Sequence, residues 1–472
     1  MISSIAWKNI WRSKTRSLVV ITAISIGLIG GITAVAFMNG LMVGRLNDAI
    51  KIEVSSLQLH NSKFMENDEV KYSINNTSEI INSISKNTEV EAISKRLKTE
   101  AMISSNRAAA GTVVIGINPE EEKQVSELYK HLVDSNSRYF EGIKRRPILI
   151  GKKMAEKLKV HLRSKVAISF VDINGVSVRE VFRIVGIFKT QNTGFDGMNV
   201  FIRFNDAKKM LGFKADESHE IAILLKEMTN SEEISLSLKN EYTKYSINKN
   251  ALLNLRNDSI PENIFAKLEE IKSDKAYNYS NFQQKMNNII GEEEFAQYKK
   301  QIDAVSEQGL SVREWKQISP ELAMQSTWLD FMVYIFVGII LLALGFGIVN
   351  TMLMVVLERI REIGMLIAIG MNRKKVFSMI ILESVLLSLT GGITGIIFGW
   401  LIVSFLNHSG VDMSIFSKGM QALGYPSLIY PSVSFANYVQ ITIMVILTGI
   451  LSAIYPALHA IKLKPAEAIR KE

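Results

Sequence analysis

The chain of 472 residues contains no cysteine, which excludes disulfide bonds and thiolate metal ligands. Its six histidines are scattered and include no H-E-x-x-H pair, so a zinc peptidase lacks its ligands. It also lacks a G-x-x-x-x-G-K-[ST] loop and a G-x-S-x-G elbow. The segment "IGKKM" at Ile150–Met154 has neither the phosphate loop nor the hydroxyl. We therefore predict no catalytic residue, no metal site and no cofactor bound directly by this chain.

Long apolar runs are present instead, and a bilayer crossing needs about 20 apolar residues. Four runs reach that length: 18–43, 331–357, 376–406 and 437–461. Ala34-Val35-Ala36 resembles a signal-peptidase site, but the apolar run continues to Val43, so we expect an uncleaved anchor. The sequence predicts a polytopic α-helical membrane protein with four transmembrane helices and a large domain between the first and the second.

The distribution of Lys and Arg predicts the orientation of these spans. Thirteen of them lie in 1–17, 358–375 and 462–472, against one, Lys418, in the loop 407–436. Basic loops stay cytoplasmic, so we expect both termini and 358–375 to be cytoplasmic and 44–330 to lie outside. The outer region carries 41 basic and 40 acidic residues, and this near-neutral balance speaks against a nucleic-acid partner.

Residues 44–330 mix strand and helix signals, which predicts an α+β domain. Strands are expected in the segments "KIEVSSLQLH", "GTVVIGI", "RPILIG", "NVFIRF" and "HEIAILLKE". Asn174-Gly175 lies between two β-rich arms and predicts a hairpin turn, while Asn205 or Asp206 could cap a helix that runs to Leu211. A charged, strand-poor insertion at about 231–307 reads as helical, either solvated or a docking element. Trp315–Asp330 is expected to run as one helix into the second span.

Two features stand out within the spans. Gly391, Gly395 and Gly399 lie four apart on one helix face and permit close helix packing, either within the subunit or between subunits. Glu383 lies inside the third span, where a carboxylate is expensive. It predicts either a structural hydrogen bond to a neighbouring helix or a role in transport. Residues 1–17 place apolar side chains on one face and cations on the other, which favours an amphipathic helix on the cytoplasmic leaflet.

The turn "LERIREIGMLIAIGMNRKKV" predicts a separate short helix between the second and third spans. Arg359 and Glu362 are opposite charges three apart, as are Glu358 and Arg361. Gly370 fits the helix stop and Asn372 the cap of the next helix. The apolar face comprises Ile360, Ile363, Gly364 and Ile367, and it needs either the bilayer or a groove on a partner to bury against.

This turn resembles the signature of the FtsX-like permease family of ABC transporters, E-x-x-x-E-I-G-x-L-x-A-x-G. The matching residues are Glu358, Glu362, Ile363, Gly364, Leu366, Ala368 and Gly370. The start "AWKNIWRSKTRS", the third span "LESVLLSLTGGITGIIFG" and the ending "YPALHAIKLKPAEAIRKE" are also similar to the family. The blocks "VIGINPEEEKQV" and "FRIVGIFKTQNTGFDGMNVFIRFNDAKKML" look like the outer domain of its lipoprotein-releasing permeases.

The resemblance implies porter-like and Sabre-type subdomains, a coupling helix at 358–375 and a cytosolic ABC ATPase dimer that binds ATP and Mg²⁺. It also implies a second permease, identical or not, membrane lipid, a lipoprotein cargo and a periplasmic carrier. The expected function is mechanotransmission that extracts a lipoprotein or lipid-like substrate from the outer leaflet. A MacB-like efflux permease and an FtsX-like signalling regulator of cell-wall hydrolases remain alternatives.

Overall fold

A computed structural model describes residues 7, 11, 14–67, 69–142, 146–213, 216–227, 230–247, 261, 266–268, 277–291, 293–294 and 306–462. The chain divides into two compact units. The membrane unit comprises residues 1–45, 324–417 and 426–472, and the interspan domain comprises 46–323 and 418–425. Most of the amphipathic helix predicted at 1–17, and all of the tail 462–472 except Lys462, lie outside the described residues and stay predictions.

The α-helices with described bounds are numbered in chain order. They are α1 Lys14–Asp48, α2 Ser62–Asn67, α3 Thr77–Ile84, α4 Pro119–Val125, α5 Lys152–Leu158, α6 Thr193–Met198, α7 Phe204–Leu211, α8 Ser231–Tyr242, α9 Tyr279–Ile290, α10 Trp315–Ile318, α11 Pro320–Glu358, α12 Ile360–Ala368, α13 Arg373–Ser409, α14 Ser417–Ala422 and α15 Phe435–Ile461. A π-helical stretch, Ala49–Val54, follows α1 directly.

The strands are numbered in the same way. They are β1 Leu57–Asn61, β2 Ile74–Asn75, β3 Val90–Ser104, β4 Ala109–Ile117, β5 Pro147–Gly151, β6 Lys165–Val171, β7 Ser177–Phe188, β8 Asn199–Arg203, β9 Glu217–Ser218, β10 Glu220–Leu225, β11 Lys244–Ile247, β12 Tyr277–Asn278, β13 Ser306–Gln308, β14 Leu310–Glu314, β15 Val411–Asp412 and β16 Leu428–Ile429.

Four helices, α1, α11, α13 and α15, are long and apolar enough to cross a membrane. This confirms the predicted fold class of four spans with a large mixed domain between the first two. The predicted helix from Trp315 into the second span is wrong in one detail, because α10 ends at Ile318 and α11 begins at Pro320. Ser319 between them has φ −124° and ψ 84°, since a residue before proline is driven out of the helical region.

The interspan domain is built on a nine-stranded mixed sheet in the order β14-β1-β10-β3-β4-β8-β5-β7-β6. An additional pairing of β6 with β3 joins the last strand back to the sheet and closes six strands into a ring. Apolar side chains of the ring strands, among them Leu97, Ile148, Ile168 and Phe182, fill its core. The strands β10, β1 and β14 continue the sheet from β3 and lie outside the ring.

Three local predictions in this domain need correction. Lys51–Val54 belongs to the π-helical stretch, and only Leu57–Asn61 is strand. The hairpin loop is Asp172–Val176, in which Gly175 alone has a positive φ of 78° and the Asp172 carboxylate accepts the N–H groups of Asn174 and Val176. The Asp172 side chain thus stabilises a five-residue loop, where the sequence predicted a two-residue turn. Helix α7 begins at Phe204, before both predicted caps.

The insertion at 231–307 is described only in part. Its described residues include the helices α8 and α9 and a three-stranded sheet in the order β12-β11-β13. This small sheet was not predicted from the sequence. Each strand is two to four residues long and pairs with a strand at least 30 residues away in the sequence. No local sequence pattern therefore predicts this sheet.

Candidate functional site

The short helix α12 ends where the local sequence predicts, but it begins at Ile360, because Glu358 still belongs to α11. Arg359, with φ −99° and ψ 18°, breaks the helical path after α11. At the other end Gly370 has φ 100°; its N–H bonds the Ile367 carbonyl at 3.1 Å, and the Met371 N–H bonds the Leu366 carbonyl at 3.0 Å. This is a Schellman stop, which needs a left-handed residue. Asn372 then caps α13 by accepting the Lys374 N–H at 2.9 Å.

The apolar face of α12 packs onto the membrane unit itself. Ile360, Ile363 and Gly364 are buried, and Ile363 and Ile367 contact the core formed by the four long helices. Neither predicted occupant of this face, the bilayer or a partner's groove, is needed. Burial inside the same chain covers the apolar area that the helix would otherwise expose.

The opposite side of the turn is exposed. Met365 is 52% exposed and Ile369 is 81% exposed, and Glu358, Arg361 and Ala368 are exposed too. Two large apolar side chains are therefore accessible on a turn whose other face is already buried. Of the predicted coupling residues, Ile363 and Gly364 are therefore part of the fold's interior, Leu366 is half-buried and Gly370 is exposed.

Arg359 connects α12 to the third long helix. Its Nε lies 3.1 Å from Glu362 Oε2, which confirms the predicted pair three residues apart. Its Nη1 donates to both carboxylate oxygens of Glu383 at 3.4 Å. Glu383 thus accepts hydrogen bonds from Arg359 at the junction before α12. The sequence leaves open a hydrogen bond to a neighbouring helix or a role in transport, and the role in transport stays a prediction. Glu383 is only 5% exposed, and a buried carboxylate requires such a partner.

The glycines of α13 form a packing seam with α1. A Cβ at Gly391 would lie 2.8 Å from Ile24 Cβ, one at Gly395 2.8 Å from Leu28 Cβ, and one at Gly399 3.0 Å from Ile32 Cδ1. The three apolar partners repeat every four residues, as the glycines do. Ser25 adds a hydrogen bond to the Gly391 carbonyl at 3.0 Å. These glycines pack helices within the subunit, the first of the two predicted roles.

An apolar cleft of about 690 Å³ lies among α1, α11 and α13. Its lining includes Gly31, Phe37, Phe336, Ile340 and Leu406. A second cavity nearby, among α1, α11 and α15, adds the amides of Asn39, Asn437 and Gln440 to its apolar lining. Acyl chains suit the first environment and a polar head group the second.

A buried charge cluster in the interspan domain escaped the sequence analysis. Arg96 of β3 donates to the Glu122 carboxylate at 2.6 and 3.0 Å and to Glu220 at 2.8 Å, and Lys98 also contacts Glu220. These charges hold the pKa of Glu220 down, at about 2, against the opposing effect of its burial. The sequence signal was Glu220 itself, a carboxylate at the head of the apolar run "EIAILL".

Two buried histidines adjoin this cluster. His60 lies opposite Glu220 on the neighbouring strand, and its Nδ1 and Nε2 face the His219 carbonyl and Gln58. His219 Nδ1 accepts the Lys98 backbone N–H at 2.9 Å, so its Nε2 carries the proton that it donates to the Val70 carbonyl at 2.8 Å. Burial lowers the pKa of both histidines to about 4. Within the described residues no group of three or more His, Asp or Glu is arranged to hold a metal.

Comparisons with known proteins agree with this architecture. Residues 17–241 match the model of the MacB-like periplasmic core domain, and residues 334–465 match that of the FtsX-like permease C-terminal region. The chain is 33% identical over 132 residues to the macrolide export ATP-binding/permease protein MacB 2 of Aeromonas hydrophila, covering 27% of this chain and 17% of that protein. It is 29% identical over 167 residues to the ABC transporter permease YknZ of Bacillus subtilis, covering 35% and 38%.

The chain thus spans well under half of the length of these relatives. Among solved structures it is similar to the extracellular domain of YknZ, with 17% identity, a TM-score of 0.28 and coverage of 39% of this chain and 93% of that one. It is also similar to the periplasmic region of MacB from Actinobacillus actinomycetemcomitans, with 12% identity, a TM-score of 0.28 and coverage of 52% and 98%.

Proposed function

Because the chain belongs to the ABC transporter permeases that join a MacB-like periplasmic core to an FtsX-like C-terminal region, we propose that it couples ATP hydrolysis in a separate ATPase to substrate export. The substrate proposed is a lipoprotein or lipid-like molecule taken from the outer leaflet of the inner membrane. In this arrangement both termini and α12 are cytoplasmic, two permeases pair, and ATP with Mg²⁺ binds only in the ATPase. The cargo leaves for a periplasmic carrier.

The observation that carries the ATPase contact is the exposed surface of α12. A helix that is anchored inward by Ile360 and Ile363 and that exposes Met365 and Ile369 suits a partner's apolar groove. Glu358 and Arg361 are exposed on the same turn and supply charges that set the direction of docking. Some of the seven signature residues, such as Ile363 and Gly364, therefore position the helix, and others, such as Glu358 and Ala368, lie on its exposed side.

Replacement of Ile369 by Glu tests this contact. We expect the variant to lose co-purification with a co-expressed ATPase, because a carboxylate would have to be desolvated in an apolar groove. Ile415→Glu is the matched control, since Ile415 is equally open, at 92% exposed, on the loop after α13. Equal ATPase recruitment by the wild type and Ile369→Glu would contradict the proposal that α12 contacts the ATPase.

The apolar cleft among α1, α11 and α13 supports a substrate with acyl chains. Narrowing it with Gly31→Leu should reduce co-purified acylated material, as measured by mass spectrometry of the wild-type and variant complexes. Release of a lipoprotein upon ATP addition would support extraction. A complex that carries no lipid but stimulates its ATPase with a macrolide would favour efflux, the function that the Aeromonas relative's name states.

A further inference from the structure

We propose that Glu383 is a positioning residue which, through Arg359, ties α12 to α13, so that the two helices move as one body when the ATPase closes. The inference rests on the proposed function and names the residue pair that would carry its mechanical step. Glu383 touches no substrate or nucleotide in this proposal. It acts through the guanidinium that lies at the start of α12.

Arg359 occupies the one position between α11 and α12 that departs from helical geometry. A helix that joins its predecessor through a single non-helical residue can swing about that residue unless a side chain holds it. The Arg359 guanidinium provides that hold, because it bonds Glu362 in the first turn of α12 and Glu383 in the body of α13. One side chain at the start of α12 is therefore joined to a residue of α13 that lies 24 positions further along the chain.

Apolar contacts alone would not give this restraint. Ile363 and Ile367 attach α12 to the core of the membrane unit, but hydrophobic burial is non-directional. Ionic hydrogen bonds fix both distance and orientation, and a guanidinium offers them in a rigid plane. The apolar face sets how firmly α12 adheres, and the Arg359–Glu383 pair sets the angle at which it lies.

The position of Glu383 on α13 extends the restraint to α1. Eight residues further along α13 the glycine seam begins at Gly391, where Ile24 packs directly on the helix backbone. Close backbone packing resists sliding because its atoms have no free space to move into. A displacement of α12 is therefore passed by the ion pair to α13 and by the seam to α1.

The test uses the absence of cysteine, which allows spin labels at chosen sites of the otherwise native chain. Met365→Cys on α12 and Ile393→Cys on α13 are both exposed and report the angle between the helices. Distances would be measured in the full-length permease in nanodiscs, in the backgrounds wild type, Glu383→Gln, Arg359→Gln and the double variant. Ser384→Ala is the matched control: it is adjacent and buried, and it removes a hydrogen bond to Gly449 rather than the ion pair.

We expect one narrow distance in the wild type and in Ser384→Ala, and a broad distribution in both single variants. The double variant should be no broader than the singles, because residues that act through each other are non-additive. In the assembled complex, each single variant should keep its ATPase bound yet lose about fivefold or more of substrate-stimulated hydrolysis, a typical size for coupling between sites.

An unchanged narrow distance in Glu383→Gln, or a double variant whose broadening is the sum of the singles, would overturn the proposal. So would equal broadening in Ser384→Ala, which would indicate general loosening of the bundle. Failure of the wild-type chain to recruit any ATPase would overturn the proposed function instead. The distances in the permease alone would still decide the proposal on Glu383 in that case.

Discussion

The interspan domain and the membrane unit both bury a glutamate beside an arginine, but they surround the pair differently. Arg96 is 4% exposed and bonds two carboxylates, one of which also contacts Lys98. Arg359 is 21% exposed and reaches Glu383 at 3.4 Å. The first arrangement is a network of several charges inside a core, and the second is one buried carboxylate held by two longer hydrogen bonds at a helix junction.

The difference teaches how each region is held together. In the interspan domain the charges lie in register across three strands, His60 opposite Glu220 and Glu220 opposite Arg96, so they help to specify strand pairing. In the membrane unit close packing does that work through Gly391, Gly395 and their partners on α1. The Arg359–Glu383 pair lies instead at the junction of α11 and α12, where we propose that it sets the angle between α12 and α13.

Breaking the buried charge cluster around Arg96 should reduce stability the most. Arg96→Met leaves Glu122 and Glu220 buried without their common partner, and we expect about 3–5 kcal/mol less unfolding free energy for the interspan domain. Arg146→Met is the control, because Arg146 pairs with Glu180 at the surface and should cost less than about 1 kcal/mol. Urea unfolding followed by circular dichroism measures both, and similar costs would contradict the comparison.

Acid should weaken the same region. The pKa of about 4 for His60 and His219 lies below the unfolded value of 6.5, so the unfolded chain binds more protons between these values. Stability is therefore highest above pH 6.5 and falls as the pH drops toward 4, by an amount on the order of a few kcal/mol. Glu220, with a pKa of about 2, adds a further loss below 4.5.

Urea midpoints at pH 7 and pH 5 check this dependence. His219→Gln removes one of the two titrating rings, so its midpoint should fall less between the two pH values than that of the wild type. The same fall in both proteins would show that the ring held between the Lys98 N–H and the Val70 carbonyl does not contribute.

Added side-chain volume at the glycine seam between α1 and α13 should destabilise the membrane unit. Gly395→Ala places a Cβ 2.8 Å from Leu28, whereas Gly392→Ala meets nothing within 4 Å. Both gain helix propensity, so the difference between them isolates overpacking, which we expect to be about 1–3 kcal/mol against Gly395→Ala. Thermal unfolding in detergent would show it, and matched melting temperatures would argue that α1 and α13 are not packed through this seam.

The smallest effect is expected at the start of α13. Asn372→Ala removes the acceptor for the Lys374 N–H and should cost about 1 kcal/mol. Asn372→Asp keeps an acceptor there and should behave as the wild type does. Thermal unfolding of the two variants distinguishes them, and an Asp variant as unstable as the Ala variant would mean that the cap contributes little.

Local signals predicted the parts of the candidate site that depend on neighbouring residues. The stop at Gly370 and the cap at Asn372 both follow from residues within one or two turns. The buried side of α12 could not be assigned, because an apolar face looks the same whether a membrane, a partner or its own bundle covers it. The second partner of Arg359 could not be named either, since Glu383 lies 24 residues away.

The sequence by itself determined four membrane-crossing helices, a mixed domain between the first and second, and a short helix between the second and third. Hydropathy and capping are properties of contiguous residues, so they can be read without a fold. Only the tertiary structure decided the nine-strand order, the cluster around Arg96, the inward face of α12 and the partners of Glu383 and Gly395. Those features join residues far apart along the chain, where burial and geometric fit select the contact.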